Sequence, residues 1–373
     1  MRLNKFIFLI VLLLSLSFCL GCWDLVEITQ RGSANAVFLD KSNDLNVIMG
    51  ASFNIPGTLL PPYAGAEQQF AKRNYLTVAS GRGILDAWKD LQRITSRQNF
   101  FGQLRVIVIS EQFAKDDIRN MLDFFGRWPQ LHGAVKLLLT HEDPVQLLDQ
   151  HLKDNLLPGN YITDFLDASP KQTFANLLEL WQVFTNLADG TTDVYMPVIQ
   201  SNQGQYKIAG MALFSKYRHV GELDEEETQN LSLLRGYKDG YLTVPLGSNS
   251  LISFASVQAR CKVKPRVDSK GELSFGITCN VSGSLRETIP ETPELTLAKR
   301  REFEERAQVY LTQRVKKLLA KLQKLNSDPI GFGKKVKANY IDYWEKIDWH
   351  AVYPAAKMKV KVKFSNRDTG VLR

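Results

Sequence analysis

Residues Ser80–Ser110 read SGRGILDAWKDLQRITSRQNFFGQLRVIVIS. Two periodicities follow one another inside this stretch. Ile84, Leu85, Trp88, Leu91 and Ile94 recur at helical spacing, which predicts an amphipathic helix within 80–97. Leu104–Ser110 is then an apolar run of strand length, the pattern of a strand covered on both faces. A helix that leads directly into such a strand predicts a central sheet with helices packed on it.

The neighbouring segments extend this pattern. Gly32–Phe53 alternates apolar and polar residues around Lys41-Ser42-Asn43-Asp44, which predicts a hairpin. Pro56–Gly65, with three prolines and two glycines, reads as a loop. Downstream, Gln112–Phe125 is expected as a helix, Ala134–Thr140 as a strand, Pro144–Leu148 as a short proline-opened helix and Phe174–Leu187 as a further helix. Residues 22–200 therefore read as an N-terminal mixed α/β domain.

The texture changes after Met196–Ile199. Gln205–Lys216 is strand-like with Gly210 in its interior. Glu222–Gly236 is expected as a short helix, with the acidic run Asp224–Glu227 as its solvated start. Residues 201–249 are expected to form a small middle domain and 250–373 a C-terminal α+β domain.

In that last part Ser250–Lys264 and Glu272–Arg286 are two long strands. A three-residue loop, Ser269-Lys270-Gly271 with Gly271 left-handed, sets Val263 opposite Ile277, Cys261 opposite Cys279 and Ala259 opposite Val281. All six fall on one apolar face. Cys261 and Cys279 can form a disulfide outside a reducing compartment; a pair of buried free thiols is the alternative. Leu297–Leu325 is the longest helix, with Phe303, Ala307, Tyr310, Val315, Leu318, Leu322 and Leu325 on its apolar side. SDPIGFGKK (Ser327–Lys335) breaks it, and Tyr340–Ile347 is a second short helix. In the closing KMKVKVKF, Met358, Val360, Val362 and Phe364 alternate with Lys357, Lys359, Lys361 and Lys363, a half-buried strand with one cationic face. The fold class is α+β, multi-domain, with mixed sheets, packed helices, and a long C-terminal amphipathic helix followed by a terminal strand.

The formal charge is +8, unevenly spread: residues 296–363 hold seventeen Lys or Arg against seven Asp or Glu. That basic end suggests an anionic partner surface, and Lys357, Lys359, Lys361 and Lys363 are candidates to touch it; they could equally serve only to solubilise an exposed sheet face. The N-terminus argues against nucleic acid as the partner, because it reads as an export signal. Arg2 and Lys5 precede a nearly unbroken apolar run of fifteen residues, Phe6–Leu20, and Gly21-Cys22 follows. The run is shorter than the about 20 apolar residues of a spanning helix, so a removed signal is expected over a retained anchor.

A cysteine directly after such a run and a glycine is where bacterial lipoproteins are cut and acylated, which makes residues 1–21 a lipoprotein signal peptide and Cys22 the lipidation site. A general secretory signal with an incidental cysteine is the alternative. The position three before the cut, usually Leu, is Cys19 here. Signals for chemistry are weak. His132, His141 and His151 match no common metal-ligand spacing. The segment Ser80–Gly83 lacks the lysine of a phosphate loop, Gly331–Lys335 follows a helix instead of a strand, and no G-x-S-x-G elbow occurs. No catalytic residue, metal or cofactor is expected.

GCWDLVEI (Gly21–Ile28) resembles the mature start of the Ger(x)C family of spore germination lipoproteins. The resemblance continues through Ser80–Lys115, through VYMPVIQSNQGQYKIAGMALFSKYRHVGELDEEET (Val194–Thr228), through NSDPIGFGKK (Asn326–Lys335) and into Trp344–Gly370. It implies a mixed α/β fold of three domains and a lipid-anchored, non-enzymatic C subunit of a germinant receptor. The implied partners are a membrane-embedded A subunit and a permease-like B subunit, and the implied location is the outer face of the spore inner membrane. Of the family's functional positions it transfers the acylated cysteine, to Cys22, which would carry covalent diacylglycerol. A lipid-tethered solute-binding protein that captures a nutrient directly is the competing expectation.

Overall fold

The computed structural model describes residues 27, 30–44, 46–55, 74–149, 157–168, 178–236, 239–290 and 296–368. The signal segment 1–21, Cys22 and the expected Pro56–Gly65 loop lie outside them.

Among the described residues the first sheet has nine strands. Strands β1 (Arg31–Lys41), β2 (Val47–Asn54) and β3 (Asn74–Gly81) form an antiparallel meander whose β1–β2 turn is the expected hairpin. Helix α1 (Ile84–Ile94) follows, then the short β4 (Gln98–Phe100), parallel to β1, and β5 (Val106–Ser110), also parallel to β1. After α2 (Glu111–Ala114) and α3 (Arg119–Gly126) comes β6 (Lys136–Thr140), parallel to β5. Helices α4 (Pro144–Asp149), α5 (Pro158–Ala168) and α6 (Leu180–Asp189) lead to β7 (Tyr195–Asn202), and β8 (Gln205–Ser215) and β9 (Arg218–Leu223) close the sheet antiparallel. The strand order is β3-β2-β1-β5-β6-β7-β8-β9.

Strand β5 shows why the opening stretch decides this fold. Ile107 and Ile109 join one apolar cluster with Trp88 and Leu91, whereas Val106 and Val108 join another with Leu147, Leu148, Ile162 and Leu166. Helices thus cover both faces, as the apolar run requires. Gly81 permits the tight turn from β3 into α1, since a Cβ there would stand 2.4 Å from the Ala87 nitrogen.

The second sheet is four-stranded, in the order β10-β11-β12-β13: β10 (Gly240–Gly247), β11 (Ser250–Val267), β12 (Leu273–Ile289) and β13 (Lys357–Asp368). The first three are antiparallel. β13 pairs parallel with β12 after a crossover containing α8 (Leu297–Lys324), α9 (Phe332–Asn339), α10 (Ile341–Trp344) and α11 (Trp349–Val352). Residues 201–249, read from sequence as a unit of their own, are shared between the sheets. β8 and β9 extend the first, β10 edges the second, and α7 (Glu225–Arg235) lies between them. One apolar cluster runs through both sheets, from Val37 and Met49 to Phe275, Val315 and Leu322.

Several sequence expectations need correcting. The apolar stripe of α1 is Ile84, Ala87, Trp88 and Leu91; Leu85 and Ile94 are half-exposed, because the helix seats on β2 and β3 along a narrow line. The single helix expected over Gln112–Phe125 is two. Ile118 turns fully inward between them, its N–H donating to Tyr217 O at 3.1 Å, and the Asp117 carboxylate accepts from the Arg119 N–H at 2.9 Å to start the second. Of the helix expected over Phe174–Leu187, residues 174–177 lie outside the described residues, and α6 begins at Leu180, where the Glu179 N–H donates to Gln182 Oε1 at 2.9 Å. In α8, Leu311 takes the fully buried place expected of Tyr310, which packs at the rim. Helix α5 and strands β3, β4, β9 and β10 were not anticipated. The region after α8 has its main helix at Phe332–Asn339, which starts inside the motif read as a break.

Candidate functional site

The long hairpin β11–β12 forms with the register that the three-residue loop dictates. Cys261 faces Cys279, Val263 faces Ile277 and Ala259 faces Val281, with Gly271 at φ +80°. The Cys261 and Cys279 Cα atoms are 4.1 Å apart with their sulfurs in contact. Alternation then sorts side chains onto two faces. The inner face carries Phe275, Ile277, Val281, Val362 and Phe364, packed with Phe303, Leu311, Val315 and Leu322 of α8.

The outer face carries two rows of cations. Lys357, Lys359, Lys361 and Lys363 of β13 are all exposed, at the sheet's edge, as the sequence indicated. The register adds a second row that sequence reading missed: Arg260, Lys262, Lys264 and Arg266 of β11, also exposed. Between the rows β12 contributes only short side chains, giving rungs Arg266–Ser274–Lys357, Lys264–Gly276–Lys359, Lys262–Thr278–Lys361 and Arg260–Asn280–Lys363. Among the described residues one ion pair touches the face, Lys357 to Glu272 at 2.6 Å, and it holds the Lys357 pKa above its ordinary value. The signal for the second row was present as the alternation in QARCKVKPR, Gln258–Arg266. It becomes a row only once β12 is known to lie between it and β13.

The motif Ser327–Lys335 forms the second organised site, a junction between the sheets. The fully buried Asp328 carboxylate accepts N–H groups from Gly331 (2.8 Å) and Phe332 (3.0 Å) on Oδ1 and from Gly333 (2.8 Å) on Oδ2, which caps α9. Asp328 and Asp193 are also tied reciprocally: Asp193 N donates to Asp328 O at 3.0 Å, and Asp328 N to Asp193 Oδ2 at 2.8 Å. Ser327 Oγ donates to Phe214 O at 2.7 Å, locking the motif onto β8. Burial pushes the Asp328 carboxyl up to about 7 against the pull of its three N–H donors, with Asp193 adding to the rise. Gly331 sits at φ +81°, and a Cβ on Gly333 would come 2.7 Å from Thr191 O. These glycines therefore serve a cap and a close contact.

The acidic start of α7 belongs to the same junction and is not simply solvated. Asp224 caps the helix, accepting the Glu227 N–H at 2.8 Å, while Glu226 pairs with Arg314 and Glu227 with Lys321, both on α8. Arg235 at the other end donates to Pro329 O at 2.6 Å and lies over the Tyr195 ring.

Two other polar groupings stand apart. His141 bridges Glu111 (3.0 Å) and Glu222 (2.9 Å), joining α2 to β9. A cleft of about 470 Å³ is lined by Asn35, Asn54, Gln103, Arg105, His132 and Asn160. Its buried amide Asn35 is already committed, donating to Ser52 O and Asn54 Oδ1 and accepting the Gly159 N–H. Among the described residues no cluster of His, Cys, Asp or Glu has the arrangement to hold a metal ion, and no helix is long and apolar enough to cross a membrane.

Two family profiles match, end to end. "Spore germination protein N-terminal domain" covers residues 24–201 and "Spore germination B3/GerAC like, C-terminal" covers 209–370. The chain belongs to the Ger(x)C family of spore germination proteins. It is 22% identical to spore germination protein B3 of Bacillus subtilis (strain 168), over 97% of this chain and 96% of that one. It is likewise 22% identical to spore germination protein KC of the same organism, over 99% and 97%. The crystal structure of the GerBC protein superposes with a TM-score of 0.58 at 18% identity, covering 91% of this chain and all of that one. That likeness shows the shared fold, a mixed α+β architecture.

Proposed function

We propose that this chain is a lipid-anchored, non-enzymatic subunit of a nutrient germinant receptor, held at the outer face of the spore inner membrane through Cys22. The observation that carries the reading is the match of both halves of the chain, in order and almost end to end, to spore germination proteins. The apolar run before Gly21-Cys22 marks Cys22 for cleavage and acylation, and the acyl chains there are the anchor: one acyl chain gives only marginal attachment, whereas two acyl chains hold a protein stably. Its partners on this reading are a membrane-embedded A subunit and a permease-like B subunit. Exported, the facing Cys261 and Cys279 would be joined as a disulfide. The two organised sites, a locked junction and a charged face, suit a rigid assembly component.

The test is germination of spores lacking the chain, complemented with the wild type or with Cys22→Ala. The reading expects loss of response to one class of nutrient, restored by the wild type and not by the variant. Full response with the variant would remove the anchor from the mechanism. The competing reading, a lipid-tethered solute-binding protein, draws on the amide-lined cleft beside β1. Saturable nutrient binding to the isolated chain, abolished by Asn54→Leu, would favour it.

A further inference from the structure

We propose that the outer face of the second sheet is a docking surface for anionic lipid headgroups, which orients the tethered chain on its membrane. The inference rests on the lipid-anchored reading above and adds a second attachment to it. Strands in a sheet lie about 4.8 Å apart and alternate residues about 6.7 Å apart, so the β11 and β13 rows run about 10 Å apart over roughly 20 Å. That separation is close to a Debye length at physiological salt, so the rows repel one another incompletely screened. Along each row the cations also stand about 6.7 Å apart, so like charges repel within the rows as well as between them. Glu272 offsets one cation at one end, and no other carboxylate pairs with the face among the described residues. A face of this kind is stabilised by an external layer of negative charge.

The chemistry favours lipid over an acidic protein. Protein interfaces concentrate their binding energy in aromatic and Arg side chains seated in pockets. Here no outward position of the three strands along the two rows carries an apolar side chain, from Gln258 through Ser282 to Ser365. Six of the eight cations are lysines, compact point charges on flexible stems. The Ser274, Gly276, Thr278 and Asn280 column between them is low, so both rows stand clear and can meet a flat surface together. The inner face is fixed against α8, so α8 points away from the lipid in this orientation.

The test uses the chain from residue 22 with Cys22→Ser, which carries no lipid and keeps every contact described above. Co-sedimentation is measured with phosphatidylcholine vesicles and with vesicles that also contain phosphatidylglycerol. The proposal expects binding to the second alone, weakening as salt rises. Each cation near such a surface is worth about a fivefold gain in partitioning, so Lys262→Glu, Lys264→Glu, Lys359→Glu and Lys361→Glu together should lower it on the order of a hundredfold or more. The same charge change placed on exposed α8 residues, by Arg301→Glu, Lys316→Glu, Lys317→Glu and Lys324→Glu, should leave most of it. Should the reversed face fail to fold, Gln at the same four lysines carries the test. Equal binding to both vesicles, binding to neither, or equal losses in the two variants would overturn the proposal. Loss of a protein partner without any vesicle binding would overturn it in favour of an acidic protein. An unacylated Cys22 in the native protein would count against the anchor and leave the vesicle result standing.

Discussion

Replacing Asp328 should unfasten the junction between the two sheets, and its cost can be worked from the hydrogen bonds. Asp328→Ala leaves three buried N–H groups, on Gly331, Phe332 and Gly333, without their acceptor. Each buried unsatisfied donor costs about 1–3 kcal/mol, and water entering the space returns part of that, so a loss of about 3–6 kcal/mol is expected. The same residue carries a pH signature. Its folded pKa, lifted to about 7, stands above the ordinary 3.8 of an unfolded chain. Between those values the folded protein holds a proton that the unfolded chain has released, so this contribution is full below about pH 4 and is lost as pH rises through 7. The ceiling is about 4 kcal/mol, at 1.36 kcal/mol per pH unit. Asp328→Asn is neutral throughout and keeps one acceptor oxygen. Urea denaturation of wild type and both variants from pH 4 to 8 should show the wild-type advantage over Asn shrinking as pH rises. An Ala cost below about 1 kcal/mol, or a flat wild-type–Asn difference, would refute the reasoning.

Other perturbations follow from the same structure. Burial works to keep His141 neutral, but its bonds to Glu222 and Glu111 win and raise its pKa above 6.5. Its contribution is therefore present below about pH 6.5 and lost as pH rises through the raised value, and an NMR titration midpoint at or below 6.5 would contradict this. The Lys115 hydrogen bond on Glu111 and the His219 bond on Glu222 lower those carboxyl pKa values, so their share is lost only as pH falls through the lowered range. In β8, Gly210→Ala would set a Cβ 2.2 Å from Leu223 O and should cost on the order of 2 kcal/mol or more of unfolding free energy in denaturant titration; a neutral result would mean that β9 can shift. For Cys261 and Cys279, mass spectrometry after alkylation without reductant should find both blocked, and Cys279→Ala should cost about 3 kcal/mol, as loop-closure entropy implies for a loop near this length. Free, alkylated thiols would show the pair to be reduced.

Much of this was legible where a local pattern and a tertiary demand coincide. The β11–β12 register followed from one turn, because a three-residue loop with Gly271 leaves a single pairing. The doubly covered β5 followed from an apolar run with no alternation. What escaped reading depends on long-range partners. Gln112–Phe125 has helical periodicity throughout, and only the insertion of Ile118 against Tyr217 breaks it. Gly331-Phe332-Gly333 looks like a break until a carboxylate three residues earlier gathers its N–H groups into a helix start. The second cation row was half visible: its alternation lies in the sequence, and its partner row lies about ninety residues downstream.

The most direct test of the central claim is mass spectrometry of the N-terminal peptide from the membrane fraction of spores that express the chain. A peptide that begins at Cys22 and carries a diacylglyceryl group is the expected result. A chain cut elsewhere with Cys22 unmodified would contradict it.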